Sequence, residues 1–247
     1  IVPEILDLKY LFIETNSNVY YNTNLAPSAS FVSTKIQRDL TSYAESSELN
    51  QYGARFKYSK FLKVIDQSHE SVTSNITTVE MRRDLRLAIS EVAEYAIDFG
   101  NQFHIKSMSG FNIRSSAFRV VNISADVYLF DVPRLDGKTG QIGLFSLTAG
   151  SSTPVIQRRN IGIINYEKGR ITLDPINIVS GKVKDSVQIM EISVSPESND
   201  VIGLQDLYLQ LDRSTVDMVV DQISSGIDPS GSTYTVTTSY KNGSIVR

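Results

Sequence analysis

Apolar and polar positions alternate from Ile5 to Thr15, and Leu6, Leu8, Tyr10 and Phe12 fall on one face of a predicted strand. After Pro27 the period changes. Val32, Ile36, Leu40, Tyr43 and Ala44 recur at helical spacing, which predicts an amphipathic helix from about Ser30 to Ser47. Asn50 and Gly53 break it. Tyr58, Phe61, Leu62 and Ile65 form an i, i+3, i+4, i+7 stripe on a short second helix. From Val72 to Arg83 the chain is rich in Thr and Val, and Thr77, Val79 and Met81 alternate with Thr78 and Glu80, as in a strand. Strand, helix, helix, strand make an α+β module of mixed α/β composition.

The remainder reads as all-β. Tyr95, Ile97 and Phe99 alternate ahead of Gly100-Asn101. Val127 to Val132 and Ile142 to Leu147 flank a loop from Pro133 to Gly140, a hairpin signal. Ile161 to Tyr166 and Arg170 to Asp174 flank Glu167-Lys168-Gly169, where Gly169 can supply the positive φ of a tight loop. Leu207, Leu209 and Leu211 alternate, and so do Val216, Met218 and Val220, with Asp212-Arg213-Ser214 between them as an expected turn. Short strands at this spacing predict a sandwich or barrel-like module. The expected division is residues 1–88 for the α+β module, 89–225 for the β-rich module and 226–247 for an extended arm. The boundary lies between Leu85 and Glu94. In the arm, Tyr234 to Tyr240 can pair only as an edge strand. No fixed-period repeat, heptad seam or low-complexity tract interrupts this pattern.

Composition narrows the chemistry. A net charge of -3 argues against binding driven by nucleic-acid phosphates. The local basic clusters, Arg82-Arg83-Arg86 and Arg158-Arg159, lack interleaved aromatics and are expected to be solvated or paired with acids. The absence of cysteine excludes disulfides, thiolate nucleophiles and zinc–thiolate or iron–sulfur sites. The longest uncharged window, Thr139 to Gln157, is too polar for lipid, so no membrane span is expected. Sequons at Asn75, Asn122 and Asn242 have no secretory segment beside them and read as chance matches. The chain opens at Ile1 directly into an apolar run, as a fragment of a longer protein would.

No pattern in the chain assembles an active site, and no catalytic, cofactor or metal residue is assigned. His69 and His104 are far apart, without metal-ligand spacing, and read as surface or partly buried turn residues. No nucleophile elbow is present. Gly137-Lys138-Thr139 imitates the end of a phosphate-binding loop, but Val132 stands where its first glycine belongs and a strand follows instead of a helix. Glu45 and Glu48, or Asp212, Asp217 and Asp221, could supply a carboxylate pair for glycoside hydrolysis. They sit on polar faces or turns, and there is no tryptophan to hold a sugar ring, although 12 tyrosines could substitute.

Three stretches in order carry a family resemblance: Phe61 to Leu85 (FLKVIDQSHESVTSNITTVEMRRDL), Asp98 to Phe103 (DFGNQF) and Ile161 to Leu173 (IGIINYEKGRITL). Their sequence and spacing resemble the ring-forming baseplate wedge protein of T-even-type contractile-tailed bacteriophages and the wider J-like baseplate proteins. The resemblance implies the C-terminal part of such a protein. It implies homodimers joined into a ring around the tail hub, and a rearrangement when the sheath contracts. As partners it implies other wedge proteins, the tail hub and tube, and sheath-initiating proteins. It places the protein in the virion tail baseplate, assembled in the host cytoplasm, without catalytic residues or cofactors. The competing expectation is a receptor- or carbohydrate-binding tail module, which would carry a concave aromatic-lined site.

Overall fold

A computed structural model of the chain describes residues 9–49, 51–148, 150, 153–204, 207–226, 240–241 and 244–245. The chain begins with β1 (Lys9–Tyr21), α1 (Ala29–Ala44), a two-residue β2 (Arg55–Phe56), α2 (Tyr58–Ser68) and β3 (Val72–Arg86). Strands follow: β4 (Val92–Asp98), β5 (Ile113–Ser115), β6 (Arg119–Val120), β7 (Val127–Pro133), β8 (Thr139–Leu147), β9 (Pro154–Asn165) and β10 (Arg170–Ser180). The last are β11 (Lys182–Lys184), β12 (Val187–Val194), β13 (Val201–Ile202), β14 (Leu207–Val220), β15 (Tyr240–Lys241) and β16 (Ser244–Ile245). The protein is mostly β, with two helices among the described residues.

Both helices form where the apolar stripes require. The Ser28 side chain caps α1 by accepting from the Phe31 N–H, and Val32, Ile36 and Leu40 are buried along one face. α2 buries Phe61 and Ile65. Tyr58 donates its hydroxyl to Thr77 O and ties that helix to β3. Neither helix is long and apolar enough to cross a membrane.

The strands make two large sheets. The first runs β11-β12-β3-β1-β14, with β5 also on β12; the second runs β4-β10-β9-β8-β7, with β6 on β10. The second sheet contains the two expected hairpins, β7–β8 and β9–β10, each antiparallel, and Gly169 has a φ of 63° at the tip of the latter. A Cβ on Gly169 would lie 1.9 Å from Asn101 O, so the loop needs glycine for space as well as conformation. The chain changes sheets between β3 and β4. It later returns: β12 pairs with β3, and β14 pairs parallel with β1. Strands from beyond residue 89 therefore complete the sheet that the first 88 residues begin, and one cluster of buried side chains spans both sheets and both helices.

Two local expectations are corrected. The Asp212-Arg213-Ser214 segment is no turn, because β14 continues through it. Pairing with β1 slips between Ile13–Leu211 and Glu14–Arg213, leaving Asp212 as the extra residue of a bulge. The expected face of β1 buries Phe12, but the more continuously buried face is the alternate one. Leu11, Ile13, Thr15, Ser17 and Val19 are buried, while Tyr10 is half-buried. Thr15 and Ser17 hide this face from a hydropathy reading, yet their hydroxyls are satisfied internally: Thr15 donates to Ser214 Oγ (3.0 Å), and Thr77 donates to Ser17 Oγ (2.8 Å). Leu6 and Leu8 lie outside the described residues, as does Tyr234 to Ser239 of the arm; β15 and β16 pair with each other.

Candidate functional site

The first sheet has two unlike faces. Cross-strand partners Ile13 and Met81, Thr15 and Val79, and Ser17 and Thr77 share the buried face. The alternate positions carry charge. At the centre of this charged face Arg82 is 1% exposed. It pairs with Glu14 from β1, with Asp84 from its own strand at 3.0 Å and with the bulge residue Asp212 at 2.8 Å. Burial works against the charge of Arg82, but Asp84, Asp212 and Glu14 outweigh it and hold the guanidinium above its ordinary pKa. Lys184 bonds Asp84 at 2.7 Å, Lys182 bonds Glu191 at 2.7 Å, and Arg213 approaches Glu14 at 3.4 Å. β1, β3, β11, β12 and β14 are thereby cross-linked by one ion-pair network on the face away from the helices.

Beside that network lies the outer edge of the sheet. An open groove of about 860 Å³ runs between α1 and β14, lined by Leu40 and Thr41 of α1, by Tyr10, Tyr52 and Tyr208, and by β14 as far as Ser214. Tyr208 meets Tyr10 and Tyr52 edge to face, with centroids 5.7 Å away in each case. An isolated antiparallel bridge joins Tyr52 to Tyr208, and beyond it β14 has no strand on its outer side among the described residues.

A second polar cluster holds the loop after β4. Asp131, fully buried in β7, accepts from the backbone N–H groups of Asn112 and Ile113, from Asn112 Nδ2, and from the Tyr166 hydroxyl at 2.6 Å. Each carboxylate oxygen is doubly satisfied, so the cluster is a closed structural staple without a free group for chemistry. Its signal in the sequence was a lone acid inside the apolar run from Val127 to Val132.

The remaining candidates are dispersed. His69 Nδ1 accepts from the Ser71 N–H, and His104 faces Glu197 in an exposed pair at 2.7 Å. Gly137-Lys138-Thr139 is a hairpin tip, where Asp136 accepts from the N–H groups of Lys138 and Thr139; those two bonds lower its pKa. Glu45 caps the end of α1, and Glu48 pairs with Lys60. Asp212 and Asp217 lie on β14, and Asp221 lies in the turn after it, where it accepts from Thr73. Of the basic clusters, Arg82 is buried and paired, Arg83 donates to Asp98 O, and Arg158 and Arg159 are exposed. Asn75 donates to Asp66, Asn122 has a φ of 69°, and Asn242 lies outside the described residues. Among the described residues no group of three His, Cys, Asp or Glu side chains could hold a metal ion.

Comparison with known proteins agrees with the family resemblance. Residues 9–84, from the start of β1 almost to the end of β3, match the family described as baseplate structural protein gp6, C-terminal domain III. The chain is 27% identical over 239 residues to baseplate wedge protein gp6 of Enterobacteria phage T4, an alignment covering 83% of this chain. The chain spans only about a third of that relative, 35% of its length. By these matches the chain is similar to the phage baseplate wedge proteins, most of its length to one of them and residues 9–84 to a domain of that family.

Proposed function

We propose that this chain is a structural component of a contractile-tail baseplate wedge, working by protein–protein contact and not by catalysis. The observation that carries this reading is the similarity to a baseplate wedge protein along most of the chain. In this role identical chains pair into dimers, and the dimers join through a second contact into a ring around the tail hub. Other wedge proteins, the tube and the sheath-initiating proteins are its neighbours in the virion, and the ring changes shape when the sheath contracts. A long strand edge unpaired among the described residues supports an assembly role, because backbone groups left open on an edge are satisfied by another chain.

Gold-labelled antibody against the chain should mark the baseplate end of tails in negative-stain micrographs of the phage that encodes it. Label on the capsid or on free protein only would overturn the assignment. Sedimentation equilibrium of the purified chain tests the dimer separately.

The tyrosines at the groove favour one second reading, a receptor- or carbohydrate-binding tail module. Tyr10 and Tyr52 are both packed against Tyr208, which leaves less open ring face for a sugar than a flat platform would. Glycan-array binding that is lost in Tyr52→Ala would support that reading over assembly.

A further inference from the structure

The two ends of the first sheet differ in protection. β11 has three residues, two of them lysines, which is how natural edges are blunted. β14 has 14 residues with no lysine, proline or glycine, and its outer side is uncovered from Leu209 to Val220 among the described residues. We propose that this edge receives a second copy of the same chain. β14 pairs antiparallel with the second copy's β14 about a two-fold axis at Thr215, making one continuous sheet across two chains. This rests on the dimer reading above and adds to it the surface and the register.

Charge and bulge position select the register. Arg213, Thr215 and Asp217 share one face, opposite Glu14, Asn16 and Asn18 of β1. With Thr215 facing its own copy, Arg213 stands opposite the second copy's Asp217, and the symmetry makes this pair twice. Asp217 is exposed and has no ion-pair partner among the described residues. Arg213 is 54% exposed, and its own-chain carboxylates stand at 3.4 to 3.8 Å, so its donors are not used up. Skipping the bulged Asp212 then places Leu211 opposite Met218 and Leu209 opposite Val220, apolar against apolar and within the uncovered stretch. Moving the axis to Ser214 would set Asp217 against Gln210, and moving it to Val216 would set it against Thr215, so neither neighbouring register makes the charge pair.

The full chain has no cysteine, so Thr215→Cys introduces a single thiol on the axis. Mild oxidation should convert this variant to a disulfide-linked dimer, whereas Val183→Cys, on the exposed β11 edge, should not link. Asp217→Arg and Arg213→Asp should each weaken the dimer on the order of tenfold or more in sedimentation, by facing like charges. Mixing the two variants should restore it, since a mixed pair has Arg opposite Asp at one end and Asp opposite Arg at the other. Far-ultraviolet circular dichroism checks that each variant is folded, and Asp217→Arg with Thr215→Cys suffices if Arg213→Asp is not. A wild-type dimer that ignores Asp217→Arg and leaves Thr215→Cys unlinked overturns the edge and leaves the dimer reading standing. A wild-type monomer up to high micromolar concentration overturns both.

Discussion

The guanidinium carbon of Arg82 lies 4.5 Å from the centroid of the Phe12 ring, its cross-strand partner in β1. The ring shields one side of the cation, and Lys184 Nζ sits 4.8 Å from the same centroid. Arg82 is thus held by an aromatic face and three carboxylates, with almost no contact with water. Arg82→Ala leaves Glu14, Asp84 and Asp212 crowded without their shared cation. It should cost about 3–5 kcal/mol in urea unfolding, the usual range for breaking a buried pair from one side. A cost below about 1 kcal/mol would mean that the carboxylates find other partners.

Tyr166→Phe removes one of the two donors to Asp131 Oδ2 and should cost about 1.5–3 kcal/mol, as for hydrogen bonds to charged acceptors. Burial, then the hydrogen bond to Asp131 and its charge, push the Tyr166 phenol far above its ordinary pKa. The folded state holds this proton more tightly than the unfolded chain does. Its contribution is complete below the unfolded tyrosine pKa of about 10 and falls as pH rises above it. Chemical denaturation of the parent between neutral and strongly alkaline pH should show this fall, and Tyr166→Phe should flatten it.

Asp221 has the opposite linkage. The Thr73 hydroxyl, then the Ser224 N–H, lower its carboxyl pKa, so the turn is supported above the ordinary carboxylate range and loses that support as pH falls through the folded value. Amide exchange at Ser224, corrected for intrinsic rate, should accelerate on acidification in the parent. In Asp221→Asn it should be fast at both ends of the range.

Leu40→Asp and Ile65→Asp each place a charge where the side chain is 2% and 0% exposed. Each should cost several kcal/mol, on the order of the penalty for an unpaired buried charge, and lower the melting temperature or prevent folding. Melting curves that coincide with the parent would mean that these faces are solvated.

The helix faces were legible because Val32, Ile36, Leu40, Phe61 and Ile65 obey one period and have no polar interruption. The hairpins were legible from their loop residues. The first sheet was not, since its order depends on pairings between distant segments that no local pattern encodes. Asp212 looked like a turn residue because a bulge and a turn both favour short polar side chains; only pairing with β1 distinguishes them. Arg82 sits at an outward position in the alternation, and its sequence cannot say that Phe12 and three acids cover it. The candidate edge was legible only as strand content, because an edge is defined by the neighbour it lacks.

β1 and β14 sit side by side although Thr15 and Ser214, joined by a hydroxyl hydrogen bond, are 199 positions apart. On the ribosome, the hairpin-like partner β3 emerges soon after β1, but the other side of β1 stays raw until almost the whole described body has been translated. Until β14 has emerged the nascent chain carries an unfinished sheet, and closing this side of β1 waits on a pairing of very high sequence separation. A chain cut off before Leu207 would keep that raw side permanently, which makes truncation ahead of β14 an aggregation hazard and not a mere loss of residues.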